Sequence, residues 1–489
     1  MQLTHEQQTA VDAIAHLDNH LVINAFAGTG KTTTLKAIAE AYPQYTFLYL
    51  AFNRSVKEEA TQKFPSNVKV YTTHGLAYKW YVSNIGTPHF DYDALRPYNI
   101  ATEFFVPYNI ASGVVSVLHD FFNSIDLDID DITYEHVRKF RDRYDSPSYA
   151  AKKISSIAKD IYKQMINQDR PIVHDFYLKY ASEQSSLYNL FEPYDFILLD
   201  EAQDTNPVVF KILLNSGKPI IAVGDVHQKI YGFRNAIDVM TRLKNQYDAK
   251  VLYLTESFRF PQQIADLAYE LLLLKTKDED LPPIKGRGPK DSKSKTKAYI
   301  TRTNAEIIKQ IARMDENHDF YTYRTPSEIF HLPMAIASVF FDYTPPIRIP
   351  DNLIKFVSCF DSFGDLKEYA EDAKDIEVKK SADIANDYRH RLTELYRLLR
   401  KKNRKRKGLC ILTAHTSKGL EFGSVVMGQD WEWRPGNKSQ QILEEYNLLY
   451  VALTRAIHTL HPNDIIKQKL KLGENFFVDC SCKTIDELF

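Results

Sequence analysis

The amino-acid sequence predicts an α/β fold built on a parallel sheet around a phosphate-binding loop. First, an apolar run at 21–25 breaks into a glycine-bearing turn and restarts as a helix near residue 31. Second, further apolar strands, at 45–52 and 68–72, alternate with segments of helical period. Third, the apolar run 196–199 ends in two acidic residues, and open α/β sheets bind ligands where their strands end.

The loop, AFAGTGKTTTL, follows the pattern G-x-x-x-x-G-K-[ST] except that Ala25 replaces the first glycine. Glycines let the backbone approach a polyphosphate, and the N–H groups that open the next helix face the anion. Lys31 supplies a charge for the β- and γ-phosphates, and the hydroxyl of Thr32 suits Mg²⁺. A merely structural turn would explain the glycines but not a Lys-Thr pair at this offset. The residues expected at the phosphates are Ala27, Gly28, Thr29, Gly30, Lys31, Thr32 and Thr33.

Composition sets limits on the class of protein. A chain of 489 residues is long enough for about three or four folding units. Its 62 basic and 63 acidic residues nearly cancel, so any nucleic-acid contact must come from a local groove. Four scattered cysteines favour a reducing compartment and ordinary thiols, although the C-x-C pair near the C-terminus could bind a metal. With no signal sequence and no run of eighteen apolar residues, we expect a soluble, cytoplasmic protein without a membrane partner.

Three further segments carry two interpretations each, and a fourth carries one. Thr4 and Gln7 form a capping box before a helix, but Gln7 could equally read a base. The helical stretch from 78 to 190 bears lysines that either face DNA or, more commonly, solvent. The polar run between 274 and 298 predicts a flexible basic loop. The cluster 400–407 is either a nucleic-acid patch or a solvated helix end.

Carboxylates and amides follow the later strands. Asp200 would hold Mg²⁺ and Glu201 would polarise an attacking water, as nucleotide hydrolysis requires near the γ-phosphate. In the next loop, Asp225 and Gln228 precede an aromatic-Arg group that can stack on bases. That proximity suggests coupling between the nucleotide and the bases, although core packing of the aromatics is an even alternative.

The order of these blocks resembles the UvrD/Rep/PcrA-like helicases of superfamily 1 over nearly the whole chain. The matching segments are LTHEQQTAV, AFAGTGKTTTL, LAFNRSVKEEA, YTTHGLAY, FILLDEAQD, VGDVHQKIYGFRNA, LTESFRF, AYITRTNAE, LTAHTSKGLEF and EEYNLLYVALTRA. The wording of LTESFRFPQQIA and TAHTSKGLEF is most similar to the F-box DNA helicase branch. Because no F-box segment precedes these motifs, we expect the motor without ubiquitin-ligase membership.

The resemblance implies two RecA-like domains, each with a largely helical insertion, and ATP with Mg²⁺ in the cleft between them. The predicted boundaries are 1–77 and 191–249 for domain 1A, 78–190 for insertion 1B, 250–312 and 407–489 for domain 2A with its tail, and 313–406 for a reduced insertion 2B, helical in its latter half. It also implies 3′ to 5′ movement on single-stranded DNA, with single-strand/duplex junctions as substrates. The alternative is a DNA-stimulated ATPase that displaces DNA-bound proteins or serves as the motor of a repair, recombination or phage-defence complex.

Roles for individual residues also come from the resemblance. Phe258 corresponds to the residue that packs on adenine, and Glu421 to the one that binds ribose. Arg259 and Arg455 correspond to two arginines that contact the γ-phosphate, and Arg suits the spread charge of phosphoryl transfer. The catalytic set is thus Lys31, Asp200, Glu201, Gln228, Arg259 and Arg455. The expected DNA contacts are Asn53, Thr73, His74, Tyr231, Phe233, Arg234, Thr413 and His415.

Overall fold

The structure is a computed structural model that describes residues 2–51, 54–91, 95–125, 128–230, 238–277, 280–289, 294–314, 317–372, 375–431 and 440–479. The chain forms two compact units. The first comprises Met1–Ala25 and Gly30–Leu254, and the second comprises Phe26–Thr29 and Thr255–Phe489.

The first unit is built on a six-stranded sheet in which all paired strands are parallel. Its strands are β1 (Leu21–Ala25), β2 (Phe47–Ala51), β3 (Val68–Thr72), β4 (Phe196–Leu199), β5 (Ile220–Gly224) and β6 (Lys250–Leu254). Their spatial order is β3-β2-β4-β5-β1-β6. Every residue of β2, β4 and β5 is buried, as expected for parallel strands covered on both faces. Since β6 pairs with β1, this sheet extends past residue 249, where we predict the end of domain 1A.

Eleven α-helices accompany this sheet among the described residues. They are α1 (His5–Asp12), α2 (Lys31–Ala41), α3 (Arg54–Lys63), α4 (Thr73–Asn84), α5 (Pro97–Glu103), α6 (Tyr108–Phe122), α7 (Ile129–Lys139), α8 (Pro147–Ile166), α9 (His174–Ser182), α10 (Pro207–Asn215) and α11 (Val239–Gln246). Helices α4–α9 lie in sequence between β3 and β4, so the helical run predicted there is confirmed. In α8, apolar residues spaced three and four apart are buried on one face: Ile154, Ile157, Ile161 and Met165.

The second unit has its own six-stranded sheet. Its strands are β9 (Lys297–Thr301), β10 (Phe320–Thr322), β11 (Leu409–Thr413), β12 (Phe422–Met427), β13 (Ala456–His461) and β14 (Val478–Asp479), while β7 (Glu256–Ser257) and β8 (Lys285–Gly286) form a separate pair. The order is β10-β11-β9-β12-β13-β14, and only β14 pairs in the antiparallel sense. The accompanying helices are α12 (Gln262–Thr276), α13 (Asn304–Arg313), α14 (Pro326–Phe340), α15 (Asp351–Val357), α16 (Phe363–Asp372), α17 (Ile376–Tyr388), α18 (Arg391–Asn403), α19 (Ala414–Ser417), α20 (Gln440–Leu453) and α21 (Asp464–Lys469).

Two sequence-based expectations for this unit are wrong. The run between 274 and 298 is not wholly a loop, because Lys285 N donates to Thr255 O (2.9 Å) as β8 pairs with β7. The segment 313–406 is helical from α14 onward, not only in its latter half, and its β10 joins the second sheet. Strands of two or three residues are too short to show a period, and Pro333 obscures the helical pattern of α14.

In the part of the chain that the structure describes, no single helix is long and apolar enough to cross a membrane. The bent pair α5 and α6, at 119° to each other, passes that test only jointly and by length and composition alone.

Candidate nucleotide site and nucleic-acid contacts

The loop between β1 and α2 takes its shape from two glycines. Gly28 and Gly30 have φ angles of 77° and 81°, a left-handed region that residues with a Cβ rarely adopt. A Cβ on Gly30 would also lie 2.9 Å from Nε2 of Gln7. Gly30 is the N-cap of α2, so the N–H groups of the first helical turn open at this loop. Such a helix start is suited to binding an anion.

Four predicted catalytic and metal-binding residues meet where α2 begins and β4 ends. Thr32 Oγ1 donates a hydrogen bond to Asp200 Oδ2 at 2.8 Å. Lys31 Nζ lies 3.5 Å from Glu201 Oε1. The backbone N–H of Glu201 donates to Asp200 Oδ1 at 2.9 Å. The phosphate loop and the acidic pair, separated by about 170 residues in sequence, therefore form one cluster.

Burial dominates the electrostatics of Asp200, which is only 7% exposed. Burial raises the pKa of the Asp200 carboxyl, as does the nearby charge of Glu201. The charge of Lys31 and the hydrogen bonds from Thr32 and Tyr49 lower this pKa. Mg²⁺ usually binds through one or two carboxylates together with substrate phosphates. Asp200 and Thr32, next to an anion-binding helix start, fit such an ion.

Glu201 is held in an unusual backbone conformation. Its φ of 50° lies in the left-handed region, which costs a residue with a Cβ about 1–3 kcal/mol. Gln203 Nε2 donates to Glu201 Oε2 at 2.5 Å, and Gln203 Oε1 accepts from the backbone N–H of Asp225 at 3.1 Å. Gln228 Nε2 in turn donates to Asp225 Oδ2 at 2.8 Å. A chain of polar groups, of which Gln203, Asp225 and Gln228 are buried, thus joins the ends of β4 and β5. Gln203 is a member that sequence reasoning missed.

Gln7 forms the capping box that is one of its two interpretations. Its Oε1 accepts from the N–H of Thr4 at 3.0 Å and its own N–H donates to Thr4 Oγ1 at 3.1 Å, so the capping box is confirmed. The cap uses the oxygen of the amide, while Nε2 lies against Gly30 of the loop. Base reading by Gln7 stays a prediction.

The residues Phe26–Thr29 belong to the second unit, as does the predicted adenine contact. Ser257 Oγ donates to Ala27 O at 2.8 Å, and the N–H of Phe258 donates to Gly28 O at 2.9 Å. The Phe258 side chain is exposed. The backbone of Phe258 is thus hydrogen-bonded to Gly28, one of the residues expected at the phosphates.

Arg259 and Arg455, the two arginines predicted to contact the γ-phosphate, form hydrogen bonds within the second unit. Arg259 forms an ion pair with Glu421, with Nη2 and Oε1 2.6 Å apart, although the resemblance gives the two residues different roles. Arg455 is 1% exposed, and its Nε donates to Val451 O at 2.9 Å while Nη1 donates to Leu420 O at 3.3 Å. Neither arrangement could be read from the motifs.

The predicted DNA contacts have varied surroundings. Thr73 and His74 form the first turn of α4, directly after β3, and His74 Nε2 lies 3.5 Å from Asp175 Oδ1. The interaction with His74 lowers the pKa of Asp175. Thr413 is buried and caps α19, in which His415 is half-buried. Four further predictions lie outside the described residues: Asn53, Tyr231, Phe233 and Arg234.

Sequence reasoning also missed two tyrosines. On β3, the Tyr71 ring has Lys57 Nζ at 5.6 Å and Lys79 Nζ at 5.5 Å from its centroid, two residues before Thr73. On β2, Tyr49 donates to Asp200. For Tyr49 the signal was a hydroxyl in an otherwise apolar strand, because a buried hydroxyl usually finds a partner.

A parallel sheet that leads into a phosphate loop and ends in an acidic pair, followed by a second, largely parallel sheet, defines a P-loop protein with two RecA-like motor domains. The chain belongs to the UvrD/REP helicase family, since the family model of the UvrD/REP helicase N-terminal domain matches residues 3–248. This confirms the predicted family resemblance and fold class.

Three relatives cover nearly all of this chain. F-box DNA helicase protein 1 of Schizosaccharomyces pombe is 30% identical over 95% of this chain and 58% of its own length. F-box DNA helicase 1 of Gallus gallus is 28% identical over 97% of this chain and 50% of its own. A probable DNA helicase of Mycoplasma pneumoniae is 24% identical, with coverages of 93% and 82%. The chain therefore spans only about half of each F-box relative.

Proposed function

We propose that this protein is an ATP-dependent DNA helicase or translocase that moves 3′ to 5′ on single-stranded DNA. The observation that carries the proposal is the cluster in which Thr32 contacts Asp200 and Lys31 contacts Glu201 beside the phosphate loop. The names of the relatives, all DNA helicases, support the substrate class.

In the proposed reaction, ATP binds with its phosphates at the loop and Lys31 neutralises charge on the β- and γ-phosphates. Thr32 and Asp200 hold Mg²⁺, which supplies further charge neutralisation when bound. Glu201 orients the attacking water and accepts its proton as the new oxygen–phosphorus bond forms and the bond to the bridging oxygen breaks, giving ADP and phosphate. Gln228, through Asp225 and Gln203, connects this site to the next loop.

The remaining roles are part of the same proposal. Phe258 packs on adenine and Glu421 binds ribose, while Arg259 and Arg455 stabilise charge in the transition state. Single-stranded DNA is held by phosphate contacts and by base stacking on aromatic rings. The predicted contacts come from the sequence, and the half-buried Tyr71, between Lys57 and Lys79, adds a further candidate in the first unit. Domains 1A, 1B, 2A and 2B, with boundaries near those predicted, form the motor and its insertions.

Two assays on the purified chain test the proposal. ATP hydrolysis should rise when single-stranded DNA is added, and duplexes with a 3′ single-stranded tail should be separated while those with a 5′ tail are not. ATP hydrolysis that DNA does not stimulate would refute the proposed motor function. Separation of duplexes with a 5′ tail would refute the proposed polarity. If naked duplex stays intact but a DNA-bound protein is displaced, the alternative function as a protein-displacing ATPase is correct.

A further inference from the structure

Tyr49 lies opposite the acidic end of β4 for a reason of sheet geometry. In the register of β2 and β4, Tyr49 pairs with Leu198. Alternate residues of a strand share a face, so Asp200, two positions after Leu198, lies on the same face as Tyr49. Such diagonal neighbours are within reach of an aromatic side chain. The hydroxyl of Tyr49 spans this gap and donates to Asp200 Oδ2 at 2.8 Å.

The Asp200 carboxylate is therefore held by three donors from three different parts of the first unit. Oδ2 accepts from Tyr49 and from Thr32, both at 2.8 Å, and Oδ1 accepts from the backbone N–H of Glu201. An ionised carboxylate offers about four acceptor positions. The three donors fix its rotation and still leave acceptor capacity for a cation.

Packing alone does not account for Tyr49. Its ring is fully buried and lies 4.8 Å from the ring of Phe64, centroid to centroid. A phenylalanine would make the same ring contacts and would bury no hydroxyl. The hydroxyl donates its hydrogen bond to Asp200, whose burial makes each donor important.

We propose that Tyr49 is a positioning residue for the Mg²⁺ site: its hydroxyl holds the Asp200 carboxylate beside Thr32 before the ion binds. This inference rests on the proposed ATPase function. Groups that orient a metal ligand by hydrogen bonding typically change metal affinity or activity about 10–100-fold when they are removed. Tyr49 acts through Asp200 and is not itself expected to touch nucleotide.

The test compares Tyr49→Phe with Tyr42→Phe. The Tyr42 hydroxyl also donates one hydrogen bond in this unit, to Val11 O at 3.1 Å, but lies away from Asp200 in the hydrogen-bond network. Each protein is titrated with MgCl₂ while the binding of a fluorescent, non-hydrolysable ATP analogue is followed. We expect the Mg²⁺ concentration for half-maximal binding to rise about tenfold or more in Tyr49→Phe and to stay unchanged in Tyr42→Phe. Binding measured in EDTA should be the same for both variants.

Equal Mg²⁺ requirements in the two variants would overturn the inference while leaving the proposed function intact. Absence of Mg²⁺-dependent nucleotide binding in the wild type would instead overturn both. Steady-state hydrolysis gives a second readout: excess Mg²⁺ should restore kcat in Tyr49→Phe, which it would not do for a structural defect. Tyr49→Met also lacks the hydroxyl, fills space adaptably and replaces the phenylalanine variant if that protein does not purify in folded form.

Discussion

Replacing Lys31 with alanine should separate nucleotide hydrolysis from folding. The ammonium group lies 3.5 Å from Glu201 Oε1, and the two side chains are 13% and 34% exposed. A partly exposed ion pair of this kind contributes at most about 1 kcal/mol to the free energy of unfolding. For a unit of roughly 250 residues, 1 kcal/mol lowers Tm by about 2–4 °C.

The expected effect on catalysis is far larger. Losing one preorganised charge or donor at a site of developing negative charge lowers kcat by about 10²–10³. DNA-stimulated phosphate release in Lys31→Ala should therefore fall by at least that factor. Lys36→Ala is the matched control, because Lys36 lies on the same helix, α2, and pairs with Glu40 at 3.3 Å on the exposed surface. Its activity should equal that of the wild type.

Thermal melting and phosphate release are measured on the same preparations. Activity of Lys31→Ala within tenfold of the wild type would refute the assignment of the loop. A fall in Tm well beyond about 2–4 °C would show that Lys31 has a structural role and that the loss of activity is indirect.

Three further predictions concern charge. Glu201→Gln should retain bound ATP while hydrolysis is lost, because only the water-orienting carboxylate is neutralised; filter binding that shows no retained nucleotide would contradict this role. The logarithm of the affinity for single-stranded DNA should fall linearly with the logarithm of the salt concentration, by a slope of about 0.7 per phosphate contacted, and a flat profile would mean that phosphates are not the contact. Glu377, half-buried and accepting a hydrogen bond from Asn304 N, has a raised pKa caused mainly by desolvation of its carboxyl, so its contribution to stability is present below its ordinary value of 4.5 and lost as pH rises through the folded value. Glu377→Gln should thus gain in Tm relative to the wild type as pH rises above 4.5, and a Tm difference that does not change with pH would contradict the raised pKa.

The regular parts of the fold were predictable from the sequence because their signals are local. The strand at 68–72 has the predicted bounds, and the break between β1 and α2 falls at the predicted glycines. The pairing of β8 with β7 was not predictable, because two-residue strands depend on partners distant in sequence. For the same reason β10, three residues long, gave no sign that it belongs to the second sheet.

For the candidate site, the sequence predicted residue types better than partners. Lys31 opens the helix that follows β1, and Asp200 directly follows β4. Because β1 and β4 both pair in parallel with β5, the convergence of the two residues follows from parallel-sheet geometry. Tyr49 and Gln203 act through hydrogen bonds that depend on register and side-chain rotamer, and neither is encoded in a motif. The missed signal was physical: the Tyr49 hydroxyl in an otherwise apolar strand and the Gln203 amide two residues after the acidic pair are both buried, and buried polar groups require a partner.

The two arginines show why a motif position alone does not establish a catalytic role. Arg455 donates to the carbonyl oxygens of Val451 and Leu420, and hydrogen bonds from a charged donor contribute about 1.5–3 kcal/mol each. Arg259 is held by the carboxylate of Glu421. If contact with a γ-phosphate replaced these bonds, its net benefit would be the difference in free energy between the phosphate contact and the present ones. Since an interaction accelerates chemistry only if it is stronger in the transition state, either arginine would contribute to phosphoryl transfer only if its contact with the phosphate strengthened there.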